Sequence, residues 1–299
     1  MVVSNALAIV NGYATRMTAA QIKLMLESDV IEYVTLDAPI RTNSTSSFQY
    51  TTGVDRVKAS GYTGNNIVVA VFDSGIGAHS DLAGGRIRAA VNVTSGTPVV
   101  VNSNTDGYGH GTAVAGIIGG SGSLSSGLHS GVAPGVQFVD VKVISNDGSG
   151  LTSNLIRAID WVIANRSTYN IRVANFSLGH APVESHTMDP LCQAVERLVA
   201  SGIVAVASSG NTGKTTQYSK VWGAINSPGN SPAAITVYPI NTRGTATHTD
   251  DVATTYGSRG STHKAGLFKP DLSAPGNAIP VPSLPGSYLS TKLSAAGHR

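Results

Sequence analysis

Residues Ile67 to Phe72 form an unbroken apolar run that leads directly into an aspartate, Asp73. The run is short for a helix and lacks the alternation of a half-exposed strand. It therefore predicts a strand buried on both faces, the kind that parallel sheets require. Parallel strands need long crossovers, usually helices, and the rest of the chain supplies them. Strand patterns at 136–144 (VQFVDVKVI), 171–177 (IRVANFS), 203–207 (IVAVA) and 235–239 (ITVYP) alternate with helical ones. Leu155, Ile156, Ile159, Val162 and Ile163 make one apolar stripe. A second helix opens with Asp189 as cap and Pro190 in its first turn, turns Leu191, Val195, Leu198 and Val199 inward, and stops at Gly202. The expectation is an α/β fold: a three-layer α/β/α sandwich around a parallel sheet with right-handed crossovers. Asp73 then stands at the carboxyl edge of a strand, where open α/β sheets keep their sites.

A chain of 299 residues can bury a large core as one large domain or two. Only 12% of residues are charged, the net charge is +3, and the 20 Lys and Arg are scattered without a basic run, which argues against a nucleic-acid partner. Nor is there an apolar stretch of membrane-spanning length or a signal-peptide pattern at the start, so no membrane partner is expected. Cys192, the one cysteine, reads as a small packed hydrophobe on the second helix.

Residues 4–40 read as a small separate unit. Ala6 to Val10 is a short apolar strand, and Thr18 with Gln21 forms a capping box for a helix with Ile22, Met25 and Leu26 on one face. Val30 to Leu36 then alternates like a strand. The stretch RTNSTSSFQ, 41–49, has linker composition, and the first forty residues bury too little to fold alone.

Asp73 and His110 are the residues with chemistry to offer. A hydroxyl is a poor nucleophile at neutral pH unless an imidazole takes its proton and a buried carboxylate orients that imidazole. Singly, an aspartate before Ser-Gly serves turns and a histidine between glycines opens helices. Together, VVAVFDSGIGAHSDL (68–82) and DGYGHGTAVAG (106–116) resemble, in form and order, the aspartate and histidine motifs of the subtilisin-like serine peptidases, the subtilases. The segments GVAPGVQFVDVKVI (131–144), NSPGNSPAAITV (226–237) and KPDLSAPG (269–276) extend the likeness over nearly the whole chain.

The resemblance implies a serine endopeptidase that acts on proteins through an acyl-enzyme, with His110 as base, Asp73 as orienter and Asn211 as oxyanion donor. Ser177, Leu178 and Gly179 match one substrate-pairing edge, and Gly148, Ser149 and Gly150 in DGSG match the second. Ala207, Ser208, Ser209 and Gly210 match the wall of the primary pocket. The chemistry requires no cofactor. Asp81 matches a family position that can ligate structural calcium, although SGSLSSGLHSG (121–131) resembles the completing loop poorly. GNTGKTT (210–216) imitates a phosphate loop but has Ser208 where that motif needs glycine. Asn43, Asn92, Asn165 and Asn175 begin glycosylation sequons.

By the same resemblance, residues 1–41 are part of an inhibitory prosegment, able to block its own chain. Residues 42–49 are a linker and maturation region, and 50–299 are a catalytic domain incomplete at its C-terminal end. Secretion is implied by the family. The family's nucleophile phrase, GTSMAxPxVAG, has no counterpart in PVPSLPGSYLSTKLSAAGHR. An ungapped register puts Ala295 at the nucleophile position, and a one-residue shift brings Ser294 there, so Ser294 is the candidate nucleophile. Hydrolysis is expected to be very weak. Two other readings stay open: a non-catalytic pseudopeptidase that binds peptides, and a peptidase inhibitor acting through the prosegment.

Overall fold

The apolar run becomes a central strand of the larger unit's sheet. The computed structural model of the protein describes residues 5–7, 12–28, 31, 34 and 47–295. Contacts divide the chain into a unit of residues 1–44 and a unit of residues 45–299.

In the first unit β1 (Asn5–Leu7) pairs antiparallel with β2 (Gly12–Ala14), Ala6 facing Tyr13. The second of these strands was not expected. Helix α1 (Ala19–Leu26) starts at the expected capping box: Gln21 N–H donates to Thr18 Oγ1 at 3.3 Å and Thr18 N–H donates to Gln21 Oε1 at 2.8 Å. Ile22 and Met25 are partly covered, whereas Leu26, one turn on from Ile22, is exposed. The expected strand from Val30 to Leu36, like the far end of the Ala6–Val10 strand, falls largely outside the described residues.

The second unit opens with two short helices, α2 (Ser47–Thr51) and α3 (Val54–Ala59). All of β3 (Val68–Asp73) is buried. It lies between β6 (Gln137–Lys142) and β7 (Ile171–Phe176), parallel to both. Beyond β6 come β4 (Ile87–Asn92), parallel, and the antiparallel edge strand β5 (Val99–Val101). Beyond β7 come β8 (Val204–Ser208) and β9 (Ile235–Asn241), both parallel. β9 also takes antiparallel β10 (Val252–Ala253) and parallel β11 (Leu272–Pro275), completing a nine-stranded sheet.

Helices cover both faces, as the strand composition demanded. On one face α5 (Thr152–Asn165) and α6 (Pro190–Ala200) bring Leu155, Ile159, Val162, Leu191, Val195 and Leu198 onto Phe72, Val139, Val141 and Phe176. The rings of Phe72 and Phe176 stack at 4.6 Å. Truncating either to alanine would cost roughly 3–5 kcal/mol. Asp189 caps α6 by accepting from the backbone of Leu191 at 2.9 Å, and Cys192 packs fully buried behind it. On the other face α4 (His110–Gly119) packs Ala115 toward Val69, Val71, Ile76 and Phe138. A final helix, α7, spans Tyr288–Ala295.

The strand order reverses around β3. Its successors β4 and β6 lie on one side and β7, β8 and β9 on the other, so loops leaving adjacent carboxyl ends diverge and open a crevice there.

Candidate active site

Asp73 is the last residue of β3, and His110 is the first residue of α4. Gly109, left-handed at φ 97°, lets the chain turn abruptly into that helix. His110 Nδ1 lies 2.7 Å from Asp73 Oδ1 and 2.9 Å from Oδ2. The carboxylate side chain is 3% exposed and the imidazole 40%. The acid is thus sealed beneath a ring that reaches solvent, and with Nδ1 committed to Asp73, Nε2 is the nitrogen left for the crevice. Burial pulls the imidazole pKa down, but the hydrogen bond and charge of Asp73, with the charge of Asp106 behind, outweigh it and hold His110 above an ordinary histidine.

A buried polar layer supports the pair. Ser74 N–H donates to Asp73 Oδ1 at 2.8 Å, and Gly111 N–H donates to Ser74 Oγ at 3.0 Å. Ser74 Oγ donates to Asp106 Oδ1 at 2.8 Å, and Asp106 also accepts from Gly109 N–H, Thr112 N–H and Thr112 Oγ1. Lys142, the last residue of β6, donates to the carbonyls of Ser74 and Thr105 and to Asn146 Oδ1. Burial lowers the pKa of its ammonium, against the pull of Asp106, Asp140 and Asp73.

Asp140 lies two residues before Lys142, 1% exposed, and its carboxyl oxygens make no hydrogen bond of ordinary geometry to the described residues. Burial pushes its pKa up to about 7, although the Ile76 backbone, Asn104 and Lys142 draw it down. Asp106 and Asp140 both escaped sequence reasoning. The first sat inside a motif read for its histidine, and the second inside a strand read for its apolar content.

The crevice is a cleft of about 580 Å³ whose lining includes Asp73, Tyr108, His110, Gly148, Ser149, Gly150, Ser177, Leu178, Gly179 and Asn211. Most of the sequence-derived site residues therefore converge on one space. The 148–150 edge is a tight loop: Ser145 N–H donates to Ser149 O at 2.7 Å, and Asp147 Oδ1 accepts from both the N–H and hydroxyl of Ser149. The 177–179 edge is pinned by paired backbone bonds between His180 and Ser227 at 3.1 and 3.0 Å. A Cβ on Gly179 would overlap the Ser227 carbonyl, so only glycine permits that approach.

Beyond β8, Ser209 N–H donates to Val237 O at 3.0 Å and Thr212 N–H to Ser258 Oγ at 3.0 Å. These anchors flank Asn211 and hold it exposed at the cleft. Ala207, Ser208, Ser209 and Gly210, which precede Asn211, are buried or half-buried and do not line the cleft. Leu155, Leu178, Leu191, Val143 and Ile144 give the cleft an apolar wall.

Asp81 is buried, and its Oδ1 accepts from Ser123 Oγ at 2.7 Å and Leu124 N–H at 3.2 Å. Among the described residues no group of three or more His, Cys, Asp or Glu gathers to hold a metal ion. The bonds from Ser123 and Leu124 anchor the 121–131 loop on Asp81. Ser294 lies on α7, and its side chain is outside the described residues.

The sequence pattern of the Subtilase family matches residues 64–298. Serine protease AprX of Bacillus subtilis (strain 168) is 36% identical over 239 residues, which span 76% of this chain and 50% of the relative. Subtilisin E of Bacillus subtilis (strain 168) is 34% identical over 238 residues, 78% of this chain and 56% of the relative. Among solved structures, Sphericase is similar with a TM-score of 0.63 at 26% identity, covering 89% of this chain and 75% of its own. The S41 Psychrophilic Protease is similar with a TM-score of 0.63 at 28% identity, covering 75% and 71%. The chain spans about half the length of these curated relatives.

Proposed function

The chain belongs to the Subtilase family, and from that premise we propose that residues 50–299 carry the proton-transfer, oxyanion and peptide-binding machinery of a serine endopeptidase. One observation carries the proposal: His110 Nδ1 lies within 2.9 Å of both Asp73 oxygens, at the rim of a cleft that Asn211 and both peptide-pairing edges also line.

In the proposed reaction a peptide lies extended between 148–150 and 177–179, adding as a strand, with an apolar side chain against the Leu155, Leu178 and Leu191 wall. His110 Nε2 removes the proton of an attacking hydroxyl while Asp73 stabilises the imidazolium. The amide of Asn211 donates to the oxygen that becomes negative in the tetrahedral intermediate. His110 then returns the proton to the leaving amine, and water repeats the sequence on the acyl-enzyme. No step needs a metal or organic cofactor. Ser294 remains the candidate nucleophile. Residues 1–41 are proposed as part of an inhibitory prosegment, with 42–49 as the linker and maturation region, and the protein as secreted. Among the described residues no helix is long and apolar enough to cross a membrane.

A second reading is a pseudopeptidase that binds peptides through 148–150 and 177–179 without cutting them. Peptide-ester hydrolysis tests both. The expected rate is weak, about 10³–10⁴ over water from binding and the oxyanion donor, and unchanged by Ser294→Ala. Fast hydrolysis abolished by a fluorophosphonate and by Ser294→Ala would establish Ser294 as the nucleophile. Failure of an extended peptide to bind the cleft would overturn both readings.

A further inference from the structure

We propose that Asp106 is a positioning residue for the His110 and Asp73 pair: a second buried carboxylate that fixes the first turn of α4 from within and, through Ser74, sets how Asp73 meets the imidazole.

The connection can be followed atom by atom. Ser74 has one hydroxyl proton, and the shorter of its two carboxylate contacts, 2.8 Å against 3.3 Å, is to Asp106 rather than to Asp73. Asp106 therefore sets the hydroxyl rotor and leaves the Ser74 oxygen free to accept from Gly111 N–H. Gly111 follows His110, and Ser74 N–H bonds Asp73 Oδ1, so Asp73, His110, Gly111 and Ser74 close a ring. Asp106 holds that ring from outside while taking Gly109 N–H at 2.7 Å, Thr112 N–H at 2.9 Å and the Thr112 hydroxyl.

Electrostatics give the arrangement a second effect. His110 sits at the N-terminal end of α4, where the free N–H groups disfavour an imidazolium. Asp106 places a negative charge among those donors, so the helix end no longer opposes the charge that forms on His110 during proton transfer. The groups facing this cluster are Asp73 on β3, Asp106 before α4, and Asp140 and Lys142 on β6. Lys142 is the cation among them, and its contacts run to backbone carbonyls and Asn146.

A residue that merely capped a helix would change stability without changing the acid–base behaviour of His110, which supplies the test. The inference rests on the reading of Asp73 and His110 as a working pair, so the His110 imidazole is titrated by NMR in the full chain and no activity is needed. Asp106→Asn is expected to lower the His110 pKa by roughly half a unit or more. Ser74→Ala keeps every bond from Asp106 to α4 but cuts the link to Asp73. It is expected to speed exchange of the Nδ1 proton, and it stands as the test if Asp106→Asn does not fold. A His110 titration and Nδ1 exchange that match the wild type in the folded variants would overturn the positioning role. Asp73→Asn separates the two claims: if it leaves the His110 pKa unmoved, the pairing itself is wrong, whatever Asp106 does.

Discussion

Tyr288 stacks on Tyr108, with ring centroids 5.4 Å apart and planes 9° from parallel. Backbone bonds reinforce the contact: Tyr288 N–H donates to Gly107 O at 2.9 Å and Leu289 N–H to Tyr108 O at 3.0 Å. Tyr108 also borders Gly148, where an added Cβ would lie 2.5 Å from the ring. The start of α7, the turn before His110 and the 148–150 loop are thereby held through a single tyrosine. Tyr288→Ala is expected to cost about 0.5–1.5 kcal/mol beyond its lost buried area and to weaken peptide binding. Thermal melting and fluorescence binding of a peptide check this; unchanged affinity would mean that the stack does not shape the cleft.

The raised pKa of His110 has opposite consequences for folding and for chemistry. Imidazolium bonded to Asp73 stabilises the fold, so this contribution is fully present below the ordinary value of 6.5 and is lost as pH rises through the folded value. Proton abstraction needs the neutral ring, so any hydrolysis or acylation appears only as pH passes that same raised value. A rate profile whose acid limb lies at or below the ordinary histidine value would contradict the pairing with Asp73.

Asp140 makes the fold sensitive to pH in a neighbouring window. Its carboxyl is held from the ordinary 3.8 up to about 7, so the unfolded chain loses this proton first. The stability it contributes is complete below 3.8, declines as pH rises, and is gone above about 7. Asp140→Asn keeps the shape without the titration. It is expected to raise the melting temperature at ~pH 8 and to flatten the decline at lower pH. A variant that melts below the wild type at that pH would show that the ionised carboxylate is satisfied.

Asn211 is exposed and held by its neighbours, so its side chain can be removed without disturbing the wall. Asn211→Ala is expected to leave melting unchanged and to lower any hydrolytic kcat by about 10²–10³, with little change in KM. An equal loss in peptide affinity would assign the amide to ground-state binding instead.

The Asp73 and His110 pair was legible because both members sit at ends of elements with strong local signals. Asp73 closes a run apolar enough to demand a buried strand, and His110 follows a glycine that turns into a helix. The α6 cap at Asp189 was legible for the same reason. β4 and β5 were not, because Ile87–Asn92 is only partly covered and Val99 and Val100 on the edge strand are exposed, so neither segment carries a clean burial pattern. That Ala207 to Gly210 do not line the cleft was also hidden, since it follows from cross-strand bonds to β9 and Asn226 rather than from residue type. Asp106 and Asp140 are long-range cases: what surrounds them comes from β3, β6 and α4 and acquires meaning only when those elements are adjacent.

The division of labour at the carboxyl edge of the sheet bears on how such a protein can change. The acid, the base and their buried supports belong to strand and helix ends, whereas 148–150 and 177–179 belong to loops whose own bonds are local or made to one neighbouring turn. Segments proposed to face the peptide can therefore be exchanged between relatives while the layer beneath Asp73 and His110 stays in place. Altered sequence preference is the trait most accessible to loop grafting, and recovered or altered chemistry the least.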